Sequence, residues 1–371
     1  MQQSPPSLRV LNVLTGFLGS GKTTLLRRLL ASPQLAQCAV LVNELGEIPL
    51  DHELLDRIDH ETVVLRSGCI CCGVRTDLAD ALKTLIARQD RGEIPGFDRV
   101  VLETTGLADP VPVINTVLSD PVLRHHYRVG TVVTTVDAVL GNAQLHDRHE
   151  ARRQAGVADR LVITKADMVG GETVELLREA LQEINPSAAI VVSHNDANED
   201  LVRLAQDISV DTRLHEAGQW FFSRAGERKG LAARSPTNSL FGSALDEESA
   251  AREETDAETE AVNRLTSVHG DLRSVSLVLT EPLDWTAFGV WLSMFLHRYG
   301  NVTLRLKGIL DLNGVDQPTV VHGVQHLLHP PVHLPAWPDG ERCSRLVLIG
   351  NLPSAETLQA SLAGFLSRAS R

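Results

Sequence analysis

The chain has 371 residues, of which 43% are hydrophobic and 22% charged, a composition that excludes a wholly disordered or fibrous protein. It carries 35 basic and 47 acidic side chains, and the net charge of −12 argues against non-specific nucleic-acid binding. No stretch approaches the roughly 20 apolar residues of a membrane helix, and the N-terminus lacks the basic start and apolar run of a signal peptide. The sequence therefore predicts a cytoplasmic protein with two or three domains and no membrane partner.

Short apolar runs alternate with amphipathic stretches from Arg9 to about Ser193. The predicted strands, rich in β-branched residues, are Arg9–Leu14, Ala39–Val42, Thr62–Leu65, Arg99–Leu102, Val129–Val136, Arg160–Ile163 and Ala189–Val192. The helical patterns between them include Lys22–Leu30, Leu78–Arg88 and Thr173–Glu183. Because apolar strands that alternate with helices are typical of a parallel sheet covered on both faces, we expect an α/β domain over residues 1–222.

The composition changes after Phe222. Residues 223–261 are rich in Ser, Gly, Ala and charge, and Asp246–Glu260 holds eight acidic residues against one basic residue. Such a segment buries too little apolar surface to offset its ordering entropy, so we expect an acidic flexible linker. The patterns that follow favour a smaller α+β domain over residues 262–371: Leu272–Leu279, Trp285–Arg298, Val302–Leu310, Thr319–Val324, Arg345–Ile349 and a last helix from Ala355.

The segment Gly16-Phe-Leu-Gly-Ser-Gly-Lys-Thr23 fits the phosphate-binding pattern G-x-x-x-x-G-K-[ST], after an apolar strand and before a helix. Its glycines let backbone N–H groups turn toward phosphate oxygens, and the helix N-terminus adds partial positive charge. We expect Lys22 to reach the β- and γ-phosphates and Thr23 to complete a Mg²⁺ shell. The predicted nucleotide-binding residues of this segment are Gly16, Gly19, Ser20, Gly21, Lys22, Thr23 and Thr24.

A phosphate loop of this kind needs an acidic partner for Mg²⁺ at the end of a nearby strand. The run Val100-Val-Leu-Glu-Thr-Thr-Gly106 supplies Glu103, and it places Gly106 where its N–H can be offered to a γ-phosphate. Alone, Glu103 would be interpreted as a solvated carboxylate at a strand end. Together with the phosphate loop it becomes a predicted Mg²⁺ ligand, so Lys22, Glu103 and Gly106 are the predicted catalytic residues.

Base recognition is expected at the end of a later strand, where Thr164-Lys-Ala-Asp167 has the T-K-x-D form of a guanine-recognition motif. Asp167 can accept hydrogen bonds from both N1–H and the exocyclic amine of guanine, a contact that adenine cannot make. The aliphatic stem of Lys165 can lie over the base. Thr164 stands where Asn is commoner, and the motif is short, but after a phosphate loop it favours GTP over ATP.

Three of the five cysteines, Cys69, Cys71 and Cys72, fall within four residues. Thiolates this close can hold one transition-metal ion such as Zn²⁺, and the helix that follows would favour the thiolate form. Water, a nearby carboxylate or a transferred group would complete the ligand set. A redox pair or incidental small residues are the alternative interpretations. Zinc is the first choice on ligand type, and cobalt and nickel stay open.

Taken together, these motifs resemble those of the CobW-like family of P-loop GTPases, cytosolic proteins that look like metallochaperones or metal-insertion factors. The matching segments span both domains and leave out only the linker: Gly16–Leu26, Asn43–Glu47, Gly68–Cys72, Glu103–Pro110, Thr164–Asp167, Arg305–Gly308 and Gly323–His326. The resemblance implies a switch-like region in which Glu44 and Glu47 can contact Mg²⁺ or lie near the thiolates. A solvated loop position is the alternative for Glu47.

Two departures from the family pattern limit what the resemblance implies. Some members carry a His-rich linker that could store metal, whereas residues 223–261 contain no His. The switch-like region has Leu45 where Phe is commoner, a mild apolar change.

Four histidines cluster near the C-terminus at His322, His326, His329 and His333. Their spacings of four, three and four would line one helix face. However, the strand pattern over Thr319–Val324 and the pair Pro330-Pro331 forbid one continuous helix through them. We therefore interpret them as scattered positions on a strand and a loop, with an auxiliary metal or partner site as the alternative.

The sequence thus predicts a Mg²⁺-dependent GTPase whose nucleotide state controls the binding of a transition metal and its delivery to a client metalloprotein. Because Cys69–Cys72 lies between the switch-like region and Glu103, the γ-phosphate and Mg²⁺ are expected to shape the thiolate site. The alternatives are a small-molecule kinase, which would need an acceptor pocket with a base, and a metal reservoir whose nucleotide site is only regulatory. The sequence leaves the client and the choice between monomer and homo-oligomer undecided.

Overall fold

Parallel strands flanked by helices build the N-terminal part of the structure, a computed structural model that describes residues 8–35, 37–43, 63–67, 70–193, 204–205, 272–337 and 342–369. The described strands of this part are β1 Arg9–Gly16, β2 Cys38–Asn43, β3 Val63–Ser67, β4 Arg99–Glu103, β5 Tyr127–Asp137, β6 Arg160–Thr164 and β7 Ala189–Val192. Its described helices are α1 Lys22–Leu30, α2 Ile70–Asp90, α3 Pro110–Ser119, α4 Leu123–His126, α5 Gly141–Asp147, α6 His149–Val157 and α7 Gly171–Ile184.

The seven strands described here pair in the order β3-β2-β4-β1-β5-β6-β7, and every pair is parallel. The central strands are buried on both faces, and all five residues of β6 are buried, which explains their unbroken apolar runs in the sequence. The carboxyl ends of four neighbouring strands meet at one edge of the sheet. At this edge Asn43 lies beside Ser67, and Glu103 lies beside Val42 and Leu14.

Antiparallel strands form a second sheet in the C-terminal part. Its described elements are β8 Arg273–Leu279, α8 Trp285–Tyr299, β9 Thr303–Leu310, β10 Thr319–Val324, β11 Leu327–Leu328, β12 Val332–His333, β13 Ser344–Gly350 and α9 Ala355–Ala369. The strands follow the order β11-β10-β9-β13-β8, with β12 beside β10. Helices α8 and α9 pack together over one face of the sheet, around a core that includes Phe288, Trp291 and Leu362. Among the described helices of the chain, none combines the length and apolar character needed to cross a bilayer.

Helix α6 lies between the two sheets. It contacts β1 and β5 on one side and β9 and β13 on the other. Gly156 permits the close approach, because a side-chain carbon at this position would come within 3.1 Å of both Leu272 and Leu304. Helix α6 therefore joins the phosphate-loop part of the molecule to the antiparallel sheet.

A buried cluster of charged groups reinforces this junction. Asp159, two residues after α6, is only 2% exposed, and its carboxylate is paired with Arg305 and, at 2.8 Å, with the Nζ atom of Lys307 on β9. Its second oxygen accepts a hydrogen bond from the Val132 N–H at 3.0 Å. Burial alone would raise the pKa of Asp159, but the two cations hold the pKa well below its ordinary value. The carboxylate thus binds β9 to the end of α6.

The predicted α/β sheet with a smaller α+β part is confirmed, and most element ends differ from the predictions by only one or two residues. Helix α2 is the exception, because it begins at Ile70 rather than at Leu78. Gly73 and its polar neighbours give no amphipathic pattern, so periodicity revealed only the part of α2 that packs on the core. The predicted limits 1–222 and 262–371 enclose the two sheets, and the predicted linker 223–261 lies outside the described residues.

Substitution Asp159→Asn should lower the free energy of unfolding by about 3–5 kcal/mol, because Arg305 and Lys307 would stay buried without their counter-charge. The measurement is urea unfolding followed by circular dichroism. Since the folded pKa of Asp159 is depressed, its contribution is complete above the unfolded pKa of about 3.9 and declines as the pH falls below that value. Glu93→Gln, which breaks an exposed ion pair with Arg91, is the control and should leave unfolding unchanged. Equal unfolding midpoints for Asp159→Asn and wild type would contradict the assignment.

Candidate nucleotide site

The phosphate loop connects β1 to α1 at the carboxyl edge of the parallel sheet. Gly21 precedes the first turn of α1 with a φ of 84°, a left-handed conformation that glycine adopts without steric cost. The first N–H groups of α1 have no partner within the helix, so they can donate to phosphate oxygens. Ser20 lies beneath the loop, with its buried hydroxyl 2.7 Å from that of Thr135. Any contact of Ser20 with a nucleotide therefore has to use its backbone. Thr24, in the first turn of α1, is exposed.

The side chain of Lys22 folds back over the phosphate loop. Its Nζ atom donates hydrogen bonds to the carbonyl oxygens of Gly16 at 2.9 Å and Phe17 at 3.1 Å. Burial lowers the pKa of Lys22, and the carboxylate of Glu103 partly offsets this effect. The ammonium group is thus kept beside the loop, close to where a phosphate would lie.

Thr23 and Glu103, the two residues predicted to share a Mg²⁺ ion, are in direct contact. The Thr23 hydroxyl donates a hydrogen bond of 2.6 Å to Glu103 Oε1, and Glu103 is 4% exposed at the end of β4. Hydroxyl and carboxylate oxygens are the hard ligands that Mg²⁺ takes, with substrate phosphates and waters completing its shell. The donor set of these two side chains therefore fits a magnesium ion bound together with a nucleotide.

Gly106 lies directly against the phosphate loop. A Cβ atom at this position would be 2.7 Å from the backbone N and Cα atoms of Leu18, so no side chain fits here unless the loop moves. The same segment is tied to β1, because the Thr104 hydroxyl donates to that of Thr15 at 2.8 Å. The structure thus brings all three predicted catalytic residues around one loop.

At the predicted base-binding end, the three motif residues have different surroundings. The buried Thr164 hydroxyl donates to the carbonyl oxygen of Ser20 at 2.8 Å and so supports the phosphate loop from below. Lys165 adopts a left-handed φ of 55°, which is uncommon for a residue with a side chain. Asp167 is exposed in the 3₁₀ turn Ala166–Met168, at the end of the sheet where a base would lie. The Asn commonly found at position 164 is thus replaced by a residue that braces the loop.

Sequence reasoning missed Asp137, the last residue of β5. This aspartate is 1% exposed; its Oδ2 atom lies 2.6 Å from the Nζ atom of Lys165, and its Oδ1 accepts a hydrogen bond from the Val139 N–H at 2.8 Å. The ion pair holds the stem of Lys165 in place. The available signal was an apolar strand that ends in an acid, the same signal that identified Glu103.

Most of the predicted transition-metal ligands lie outside the residues that the structure describes. Glu44, Glu47 and Cys69 lie outside the described residues, and the backbone places Cys71 and Cys72 in the first turn of α2, just after β3. In the parts of the chain that are described, no group of three or more His, Cys, Asp or Glu side chains is arranged to hold a metal. The thiolate site therefore stays a prediction.

The C-terminal histidines lie on separate strands and turns, as the strand pattern and the proline pair predicted. His322 is buried in β10 beside Lys307, His326 is exposed in a turn, and His333 in β12 has its Nδ1 atom 3.1 Å from the Thr319 hydroxyl. Burial lowers the pKa of His322 well below its ordinary value, and the cations on β9 lower it further. No metal-ligating group forms among these described residues.

Comparison with known proteins accounts for both sheets. The model of the CobW/HypB/UreG nucleotide-binding domain matches residues 10–192, and that of the cobalamin synthesis protein CobW C-terminal domain matches residues 272–366. Over 353 residues the chain is 31% identical to the zinc chaperone YjiA of Escherichia coli (strain K12), which covers 95% of this chain and 97% of that protein. The chain belongs to the CobW family.

Two further comparisons describe how far the likeness extends for this CobW-family chain. Its fold is similar to the crystal structure of Zn(II)-bound YjiA GTPase from E. coli, with a TM-score of 0.64, 29% identity, and coverage of 96% of this chain and 99% of the other. It is also 33% identical over 186 residues to zinc-regulated GTPase metalloprotein activator 1 of Schizosaccharomyces pombe, covering 48% and 44% of the two chains. The likeness to YjiA thus spans both sheets.

Substitution Asp167→Asn should weaken the binding of GDP by about 1.5–3 kcal/mol, the value of hydrogen bonds to a charged group. The reason is that Asn presents one acceptor and one repelling donor to the two donors of guanine. Binding of ADP should change little, and calorimetric titration of both nucleotides measures the difference. Asp147→Asn, at an exposed aspartate, is the matched control. Equal losses for GDP and ADP would show that Asp167 does not contact the base.

Proposed function

We propose that this GTPase couples its nucleotide state to the binding of a transition metal, zinc in the first instance, and to delivery of that metal to a client metalloprotein. Its relatives include proteins named as a zinc chaperone and a zinc-regulated GTPase, and these names support zinc as the metal and GTP as the nucleotide. They also favour a GTPase over the small-molecule kinase considered from the sequence. Cobalt and nickel remain alternatives, because the thiolate ligands do not exclude them.

One observation carries this proposal: the parallel sheet gathers the phosphate loop, Glu103 and the start of the cysteine segment at the same edge. Strand β3 ends at Ser67 beside Asn43 of β2, and β2 separates it from β4, which ends at Glu103. Two strand spacings amount to roughly 10 Å. A change at the Mg²⁺ ligand is therefore close enough to alter the segment that carries the cysteines.

In the nucleotide half of the proposal, each group has a role that follows from its position. The phosphate loop and the first turn of α1 bind the phosphates, Lys22 leaves the carbonyl oxygens of Gly16 and Phe17 for the β- and γ-phosphates, and Gly106 offers its N–H to the γ-phosphate. Thr23 and Glu103 hold Mg²⁺, which neutralises charge on the phosphate oxygens when it is bound. The proposed nucleotide-binding set is Gly16, Gly19, Ser20 through its backbone, Gly21, Lys22, Thr23, Thr24, Lys165 and Asp167, with Thr164 supporting the phosphate loop from below.

In the metal half of the proposal, Cys69, Cys71 and Cys72 supply thiolates. The N-terminus of α2, at Ile70, lies within this segment and favours the thiolate form over the thiol. Glu44 and Glu47 are proposed to complete the site or to contact Mg²⁺. Cys38 is no competitor, because burial raises the pKa of its thiol to about 12.

A physical connection between the two halves runs through packed helices. The segment that contains Gly106 leads into α3, which is capped at its start by the Asp109 side chain. Helix α3 packs on α2, and the two helices share one apolar core that includes Leu82 and Ile114. A γ-phosphate that binds the Gly106 N–H therefore acts on the segment that leads into α3, which packs on the helix whose first turn carries Cys71 and Cys72.

Substitution Lys22→Ala should reduce GTP hydrolysis by about 10²–10³-fold, the usual loss when a charge-stabilising donor is removed. The protein should stay folded, since Lys22 contacts only loop carbonyls and nearby charge. Phosphate release measures turnover, and circular dichroism measures the fold. Lys83→Ala, at a lysine half-exposed beside Asp120, is the control and should keep full activity. Wild-type turnover in folded Lys22→Ala would refute the nucleotide assignment.

The affinity for Zn²⁺ should differ between the GTP-analogue and GDP states by about 1–3 kcal/mol, and by linkage zinc should shift the relative affinity for the two nucleotides by the same amount. Competition titrations with Zn²⁺ and Co²⁺ in each state provide the measurement. Zinc affinity should also fall with decreasing pH, because protons compete for the thiolates.

The triple variant Cys69→Ser/Cys71→Ser/Cys72→Ser should abolish the difference between the two nucleotide states, whereas Cys343→Ala, at a buried cysteine remote from the loop, should keep it. Zinc binding that is equal in both states but lost in the triple variant would indicate a metal reservoir. Zinc binding unchanged in the triple variant would mean that the cysteines are incidental.

A further inference from the structure

The segment that follows Glu103 is held in place by the buried side chain of Gln154 on α6. Gln154 is 1% exposed, and its Nε2 atom donates hydrogen bonds to the carbonyl oxygens of Ala108 at 2.9 Å and Gly106 at 3.2 Å. Only the amide nitrogen can serve this purpose, because both partners are acceptors. Both protons of one amide group are therefore used to fix two peptide units that bracket the exposed Leu107.

The anchor itself is firmly placed. Helix α6, which carries Gln154, packs against β1 and β5 and so sets where the amide lies. The buried Thr134 hydroxyl donates at 2.9 Å to the backbone carbonyl of Gln154 and does not touch the amide. Next to Gln154, Arg153 donates two hydrogen bonds, at 3.0 and 2.7 Å, to the carboxylate of Asp109 at the end of the same segment. Gly106 is thus enclosed between Leu18 of the phosphate loop and the amide of Gln154.

The chemistry of Gln154 speaks against a role in packing alone. Its Oε1 atom is buried and has no hydrogen-bond partner among the described residues, and an unpartnered buried acceptor lowers stability. An apolar side chain of the same length would fill the space without that cost. What the amide adds is its two donors, and both go to the segment that carries Gly106.

We propose that Gln154 is a positioning residue for GTP hydrolysis: by fixing the turn Thr105–Ala108, it keeps the N–H of Gly106 directed at the γ-phosphate. This inference rests on the nucleotide site proposed above. Glycine has the widest choice of backbone conformations of any residue, so a glycine that must present one N–H in one direction needs an external restraint. The Gly106 N–H belongs to the Thr105–Gly106 peptide, whose carbonyl oxygen accepts a hydrogen bond from the Ala108 N–H at 3.1 Å. The bonds from Gln154 to the carbonyls of Gly106 and Ala108 therefore fix the turn that carries this peptide before the nucleotide binds, and prior orientation of this kind lowers the barrier to reaction.

The proposal is tested with Gln154→Met, which keeps the length of the side chain and removes both donors. We expect kcat for GTP to fall roughly 10- to 100-fold, the loss that follows small misplacement of a group at the reacting centre. Affinity for a non-hydrolysable GTP analogue should fall, while affinity for GDP should stay at the wild-type value, because only the analogue has a γ-phosphate. A residue that merely stabilised the fold would not separate the two nucleotides.

Thr134→Val is the matched control, because it removes a buried hydrogen bond to the backbone of the same residue and leaves the amide bonds to the segment intact. It should lower the melting temperature and keep wild-type kcat. If Gln154→Met does not fold, Gln154→Glu, which keeps the shape of the side chain but turns an oxygen toward both carbonyls, gives the same test. Unchanged kcat, equal losses for GDP and the GTP analogue, or an equal loss of kcat in Thr134→Val would each overturn the proposal.

Lys22→Ala, assayed in parallel, separates this inference from the site on which it rests. Retained turnover in Lys22→Ala would mean that the nucleotide site itself is misassigned. Lost turnover in Lys22→Ala together with full turnover in Gln154→Met would leave the site intact and refute only the role of Gln154.

Discussion

The hydrogen bond from Thr23 to Glu103 joins the first turn of α1, which follows β1, to the end of the neighbouring strand β4 of the parallel sheet. It sets the distance between the phosphate loop and the segment that leads to Gly106. That distance keeps the two proposed Mg²⁺ ligands side by side, and it places a carboxylate near Lys22 that partly offsets the effect of burial on the pKa of the lysine. The positions of Leu18 and Gly106 follow from the same connection, because both lie on chain segments that leave these two strands.

The phosphate loop and its acidic partner were predictable because their signals are local. A strand, a glycine-rich turn and a helix follow one another within Arg9–Leu30, and an apolar run that ends in Glu103 indicates a strand end without further information. The same local reasoning located every strand of the parallel sheet that the structure describes. Gly73, early in α2, shows the limit, since a helix that begins with small and polar residues leaves no periodic pattern to detect.

Gln154 and Asp137 were not predictable, because their partners are chosen by tertiary packing. Gln154 reaches back 46 and 48 residues to two carbonyl oxygens, and Asp137 pairs with a lysine 28 residues ahead. Helix α6 is also hard to recognise in the sequence, because it is covered on several sides and has no single apolar stripe. The sequence motif suggested that Thr164 contacts the base, whereas its hydroxyl supports the backbone of the phosphate loop. Only the structure distinguishes a side chain that faces the ligand from one that supports the loop around it.

The place of α6 between the two sheets limits how the chain can be divided for study. A fragment that ends before residue 272 would keep the phosphate loop but would lose β9 and β13, which cover the outer side of α6. Water would then replace Arg305 and Lys307 around Asp159, and Gly156 would leave a bare stretch of helix backbone. In such a fragment α6 would be packed on one side only, and the Gly106 segment that it anchors would be looser than in the whole protein. Nucleotide affinities measured on the fragment would therefore differ from those of the whole protein.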